Sequence, residues 1–135
     1  MIPVKDIMTA NVITVAENTP IYDALNLLSE HEISGMPVID ENKKVVGMLT
    51  EKDVLQILIN SKISVDARVS EYMSHKVVSF LEEDDVMAVC RFLLSAAVRR
   101  VPIVRDGKIV GIVSRRDIVR LILKLRLELS DYRFS

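Results

Sequence analysis

The 135-residue chain has no tryptophan, three tyrosines, three phenylalanines and a single cysteine. Aromatics make up only 4% of a composition that is 50% apolar, so the core must be built from aliphatic side chains. One cysteine excludes an internal disulfide. That residue, Cys90, aligns with Leu25 in the repeat described below, which assigns it to packing rather than reactivity. No apolar run reaches the length of a membrane span. The N-terminus lacks the basic start, long apolar stretch and small-residue cleavage site of a secretory signal. A soluble cytoplasmic protein with no membrane partner is expected. The two histidines, His31 and His75, have no partners at ligand spacing, so neither is assigned to a metal. No Walker loop, metal cluster or paired histidine and nucleophile is present, which ranks an enzyme last among the possible functions.

What the chain does have is repetition. Val46-Gly47-Met48-Leu49-Thr50-Glu51-Lys52-Asp53 recurs as Val110-Gly111-Ile112-Val113-Ser114-Arg115-Arg116-Asp117. Each copy is an apolar run broken by one glycine, then a hydroxyl residue, two charged residues and an aspartate. The rest of the chain repeats with it. At a shift of 65, Val4–Met8 falls on Val69–Met73, Val12–Val15 on Val77–Phe80, and Ile33–Ile39 on Val98–Val104. Past Asp40–Lys44 the shift drops to 64, which places the lost residue in a hairpin turn, where length changes are tolerated best. The chain therefore consists of two copies of one unit, residues 1–64 and 65–135, the second with a longer final element.

Apolar periodicity reads each copy as β-α-β-β-α, an α/β (α+β) pattern. Short turns are expected at Val4–Met8 and 67–73, and strands at Val12–Val15 and Val77–Phe80. Thr19 is expected to cap a helix with Pro20 at its first position. The equivalent helix runs from about Asp84 to Ala96. Strands follow at 34–39, 45–49, 101–104 and 108–113, and helices from Glu51 to about Asn60 and from Arg115 onward. Ser61–Asp66 reads as a short linker. Leu125–Leu129 alternates with period two, so helix and strand both remain open there.

Thr50-x-x-Asp53 and Ser114-x-x-Asp117 each stand where a strand hands over to a helix. Two readings apply. The hydroxyl and the acid match a capping box, in which each side chain satisfies the other's backbone N–H. Alternatively, the outward-pointing N–H groups of a helix start suit an anion such as phosphate.

The net charge of −1 conceals an asymmetry. Residues 1–67 hold five lysines and ten acids, while residues 68–135 hold thirteen Lys or Arg and nine acids, including all ten arginines. The second copy either has a solvated basic surface or brings arginines to anionic ligand groups.

The doubled unit resembles the CBS domain, and its tandem form the CBS pair or Bateman module. The residues carrying the resemblance are Val4-Lys5-Asp6-Ile7-Met8-Thr9, Ile33–Asp40 and Val45–Val54, together with their aligned partners. The match extends from about Val4 to Lys124. The resemblance implies a pseudo-twofold pair of repeats with two related sites for an adenosine compound: AMP, ADP, ATP or S-adenosylmethionine. It implies that the aspartate holds ribose hydroxyls, that the Ser or Thr faces phosphate, and that adenine packs on apolar residues and backbone of the other copy. Carried over by position, one site combines Ser114, Arg115, Arg116 and Asp117 with Thr14, Val15, Ile33, Ser34, Gly35, Met36 and Pro37. The other combines Thr50 and Asp53 with Ser79, Phe80, Val98, Arg99, Arg100, Val101 and Pro102. Met36 and Val101 suit a core better than a ligand contact. Arg99 and Arg100, adjacent at a strand entrance, point opposite ways, so one of them at most reaches a ligand.

The function expected from this is regulatory: an adenosine-nucleotide-binding module, without a catalytic cofactor, acting on a separate partner protein and forming a homodimer. The alternative is a ligand-free dimerisation module. Nucleic-acid binding through the arginine-rich half ranks lower, because aromatics are scarce and no recognition motif is present.

Overall fold

A computed structural model describes residues 1–60 and 64–134, with side chains as far as Leu129. Residues 61–63 of the expected linker lie outside the described residues. The elements are β1 (Val15–Ala16), α1 (Ile21–Glu30), β2 (Gly35–Ile39), β3 (Val45–Thr50), α2 (Glu51–Val54) and α3 (Gln56–Ile59) in the first repeat. The second repeat supplies β4 (Phe80–Leu81), α4 (Val86–Ser95), β5 (Arg100–Arg105), β6 (Lys108–Ser114) and α5 (Arg115–Phe134). Short 3-10 turns at Val4–Asp6 and Val69–Glu71 open the two repeats. Two three-stranded sheets result, with strand orders β1-β2-β3 and β4-β5-β6. The short outer strand runs parallel to the central one in both, and β2 pairs antiparallel with β3. The fold is α+β with mixed sheets.

The compact units do not follow the repeat boundaries. One contains residues 11–78 together with the hairpin tip 106–109; the other contains residues 1–10 and 79–105 and the chain from Val110 onward. The opening segment of each repeat is thus housed with the strands and helices of the other repeat. In the first unit, Ala67, Val69 and Met73 join Val15, Ile21, Ala24, Leu28, Met36, Val38 and Leu49 in one core. In the second, Val4 joins Val86, Val89, Leu93, Val101, Ile103 and Val113. Both cores are aliphatic.

Backbone hydrogen bonds repeat with the sequence shift. Ile21 N–H donates to Ala67 O (2.9 Å), Val69 N–H to Thr19 O (2.9 Å) and Ser70 N–H to Glu17 O (2.9 Å). Their counterparts are Val86 N–H to Ile2 O (2.9 Å), Val4 N–H to Asp84 O (2.9 Å) and Lys5 N–H to Glu82 O (3.0 Å). The glycine that interrupts each apolar run has a cause here. A Cβ on Gly47 would lie 2.7 Å from Ser74 O, and one on Gly111 would collide with Met8. Each glycine lets the Met-Ser or Met-Thr end of an opening segment lie against the strand, where Ser74 and Met48, and likewise Thr9 and Ile112, exchange both backbone bonds.

The hairpin turns explain the lost residue. Asp40 Oδ1 accepts from Asn42 N–H (2.8 Å) and Lys44 N–H (2.9 Å), and Lys43 takes a positive φ of 64°. The second copy closes its turn with Asp106 and Gly107 alone, both at positive φ (54° and 77°), the signature of the tightest hairpin loop.

Several local expectations are corrected. The outer strands are Val15–Ala16 and Phe80–Leu81, later than Val12–Val15 and Val77–Phe80, because only these residues pair with the central strands. Thr19 does not cap α1: its hydroxyl accepts from Ala16 N–H (3.2 Å), and Pro20 stands before the first helical residue, Ile21. The second repeat's first helix starts at Val86 rather than about Asp84, and Asp85 caps it by accepting from Met87 N–H (3.2 Å). The helix expected over Glu51–Asn60 is two short helices meeting at Leu55, whose N–H donates to Lys52 O (3.3 Å); Val54 and Ile57 pack on the first core, while Leu55, Leu58 and Ile59 are exposed. Leu125–Leu129 is helix, as part of α5. Among the described residues, no helix is long and apolar enough to cross a membrane.

Candidate functional site

Each unit places its strand-to-helix junction beside its own β2 or β5 entrance. In the first unit Gly35 pairs with Thr50 and Met36 with Leu49, and Glu51 N–H donates to Ser34 O at 2.9 Å. In the second, Arg115 N–H donates to Arg99 O at 3.0 Å, the aligned bond. The hydroxyl, the aspartate and the strand-entrance loop are therefore neighbours in both units.

The capping-box reading is realised at Thr50. Its hydroxyl accepts from Asp53 N–H (3.4 Å), while Asp53 Oδ2 accepts from Thr50 N–H (2.9 Å) and its hydroxyl is 3.0 Å away. This uses one carboxylate oxygen. Asp53 is half-buried, and its Oδ1 has no hydrogen-bond partner among the described residues. Ser114 and Asp117 repeat the carboxylate half of the box: Asp117 Oδ2 accepts from Ser114 N–H (2.8 Å) and from the Ser114 hydroxyl (3.1 Å).

The two aspartates then part company. Asp117 is 6% exposed, and it is the buried charged side chain among the described residues. Its Oδ1 accepts from the Thr9 hydroxyl (3.4 Å) and from Arg120 Nη1 (3.2 Å). Thr9 aligns with Ser74 and Arg120 with Gln56, both exposed and neither bonded to Asp53. The helix starts differ as well. Behind Ser114 stands one helix, α5, of 20 residues, whereas behind Thr50 α2 has four before α3 begins at Gln56.

Asp117 also lines a cleft of about 510 Å³ in the second unit. The opening segment contributes Ile2, Asp6, Ile7, Met8 and Thr9; α5 contributes Asp117, Arg120, Leu121, Lys124, Leu125 and Glu128. Of the site residues expected from sequence, only Asp117 lines this cleft. Thr9, Arg120 and Lys124 were not among the expected site residues. A hydroxyl at both Thr9 and Ser74 was the available signal for the first, and a three-residue helical spacing from Asp117 for the second.

The remaining residues fall into two groups. Val15, Met36, Pro37, Val101 and Pro102 are buried, Met36 and Val101 inside the two cores. Phe80 is half-buried with its ring edge-on to Phe92, centroids 5.7 Å apart. Gly35 is buried at the start of β2. Thr14, Ile33, Ser34 and Arg100 are half-buried, while Ser79, Val98, Arg99, Arg115 and Arg116 are exposed. Arg115 Nη2 donates to Val98 O at 3.4 Å.

The CBS domain family model matches the chain twice, over residues 4–60 and 69–124. The chain belongs to the CBS domain family. Among its relatives is the Methanocaldococcus jannaschii protein MJ1225, 29% identical over 120 residues, which are 89% of this chain and 42% of that protein. This CBS pair thus spans less than half the length of that relative. Solved structures that share its fold include two ligand complexes. The CBS domain pair of protein MJ0100, in complex with 5′-methylthioadenosine and S-adenosyl-L-methionine, is 32% identical with a TM-score of 0.81, over 90% of this chain and 96% of that one. CBSX2 of Arabidopsis thaliana, in complex with AMP, is 32% identical with a TM-score of 0.83, over 93% and 99%.

Proposed function

We propose that this CBS pair is a regulatory module that binds an adenosine compound and acts on a separate partner protein. Asp117 carries the reading: a buried carboxylate at a strand-to-helix junction, in the wall of a cleft of about 510 Å³ that also presents Arg120 and Lys124. That volume falls within the roughly 300–1,000 Å³ of small-molecule sites. A carboxylate accepts two hydrogen bonds from neighbouring ribose hydroxyls. In this reading Asp53 and Asp117 hold ribose, while Thr50 and Ser114 face phosphate. One of Arg99 and Arg100, with Arg115 and Arg116, supplies charge, and the residues assigned by resemblance around Thr14, Ile33–Pro37, Ser79–Phe80 and Val98–Pro102 form the adenine side. Support also comes from the AMP complex of CBSX2 and the adenosine-compound complex of the MJ0100 pair.

Calorimetric titration with AMP, ADP, ATP and S-adenosylmethionine tests it. A saturable heat with at least one of them is expected, together with a rise in melting temperature as ligand exceeds Kd. No heat and a flat melting profile with all four would leave only the second reading. That reading is a ligand-free dimerisation module, and one observation favours it: Val119, Ile122, Leu123, Leu127 and Leu129 of α5 are exposed. A homodimer and a cytoplasmic location belong to both readings.

A further inference from the structure

The two ribose-binding aspartates are not equally available, and the difference is built from side chains that the first copy lacks. Asp117 Oδ2 is committed to the Ser114 N–H and hydroxyl, as Asp53 Oδ2 is to Thr50. The other oxygen is the one left to accept from a ribose. On Asp53 it has no partner among the described residues; on Asp117 it already accepts from the Thr9 hydroxyl at 3.4 Å and Arg120 Nη1 at 3.2 Å. A hydroxyl and a cation there occupy the acceptor sites that ribose hydroxyls need. With Asp117 at 6% exposure, little of the carboxylate is left for a ligand that does not displace them. Gln56 and Ser74, at the aligned positions of the first copy, form no such latch on Asp53.

We propose that Thr9 and Arg120 form an internal latch on Asp117, so that adenosine compounds engage Asp53 first and Asp117 only after the latch opens. This rests on the adenosine reading above. Displacement is not prohibitive, because the Arg120 side chain is 70% exposed and the Thr9 bond is long. An ion pair with only its cation exposed and one long hydroxyl-to-carboxylate hydrogen bond together correspond to roughly a three- to tenfold penalty in affinity. The latch has a second consequence. Ligand at Asp117 frees the Thr9 side chain, which belongs to the first repeat, so occupancy there releases a contact linking residues 108 apart in sequence while the Thr9–Ile112 backbone bonds remain. A ligand biases such an equilibrium only through its different affinity for the latched and open states.

The test is calorimetric titration with adenosine, which has the ribose but no phosphate to recruit arginines, on the full chain and on D53N, D117N, R120Q and the double variant T9V/R120Q. R120Q installs the residue that the first copy carries at the aligned position, and it lies on an exposed side chain, so folding is preserved even where D117N proves unstable. The expected result is a tighter step lost in D53N and a weaker step tightened about three- to tenfold in R120Q, with a further gain in T9V/R120Q. A tighter step that survives D53N, or a weaker step unmoved by both latch variants, overturns the latch while leaving adenosine binding in place. Absence of binding to the unaltered chain by adenosine and by all four compounds named above overturns the latch and the underlying reading together.

Discussion

Thr9 and Ile112 donate to each other's carbonyl at 2.9 Å in both directions, and between their segments lies Gly111, over which Met8 is laid. The contact is duplicated at Ser74, Met48 and Gly47. It accounts for the glycine inside each apolar run, and it defines the cost of filling that space. Gly47→Ala pushes a methyl to 2.7 Å from the Ser74 carbonyl oxygen, a backbone atom that cannot move alone. Gly111→Ala pushes one against the Met8 side chain, which can swing aside in part. Both variants are expected to be less stable, by about 2–3 kcal/mol for Gly47→Ala and about 1–2 kcal/mol for Gly111→Ala. Urea unfolding monitored by circular dichroism checks the order; equal stability with the unaltered chain would refute the close approach.

The exchange of opening segments makes a second expectation specific. Val4 is fully buried among residues of the second repeat; Val4 and Lys5 N–H donate to Asp84 O and Glu82 O, and Val86 N–H donates back to Ile2 O. Removing residues 1–10 should therefore loosen the unit that contains α4 and α5, although those ten residues belong to the first repeat in sequence. Amide hydrogen exchange is the appropriate measurement, because it resolves each unit separately. Loss of protection should fall on Val86–Ser95 and β5, with α1 and β2 retained. Protection lost evenly, or only in α1, would show that the opening segment does not stabilise the unit in which it is buried.

How much of this was legible beforehand depends on the range of the interaction. The repeat register was readable because it is written in residue identity, and the backbone bonds at Glu17, Thr19 and Ile21 reappear at Glu82, Asp84 and Val86. The capping chemistry at Thr50 and Ser114 was readable because it spans three residues. Thr19 was misread because its hydroxyl has a competing local acceptor role, closing the turn onto Ala16 N–H instead of capping the helix that follows. The break at Leu55 was not legible, because the apolar periodicity runs through it, with Val54 and Ile57 on either side both packed on the first core. The Thr9–Asp117 bond was beyond reach of any pattern rule. Its partners are 108 residues apart, and they meet only because the opening segment is housed with the second repeat's strands.

Stability should also separate the two aspartates. Asp53→Ala removes a capping interaction at a half-buried site, for which about 1 kcal/mol is expected. Asp117→Ala removes the acceptor of Ser114 N–H, the Ser114 and Thr9 hydroxyls and Arg120 together, at 6% exposure. A loss of about 2–3 kcal/mol is expected there. Chemical denaturation of the two variants side by side gives the comparison, and an Asp53 variant that is the less stable of the two would contradict the burial argument.

The exposed side of α5 carries the last expectation. Val119, Ile122, Leu123 and Leu127 recur at spacings of three and four on a helix that runs a further turn and more past Lys124, where the family match ends. Such a stripe on the surface of a small protein is a place for another chain, and a homodimer is the arrangement that needs no second gene product. Ile122→Glu and Leu123→Glu together put two carboxylates on that stripe without touching Asp117 or Arg120. Sedimentation velocity of the unaltered chain should give a dimer, and the double variant should shift to monomer with its helix content and unit cores unchanged. A monomer in both, or a dimer that resists both charges, would take α5 out of the interface. Adenosine titration of the same monomeric variant then separates the two functional readings. Binding retained in the monomer belongs to a ligand-operated module, for which the dimer is a platform. A chain that dimerises through α5 and binds none of the adenosine compounds is a scaffold, in which the two aspartates serve only as caps.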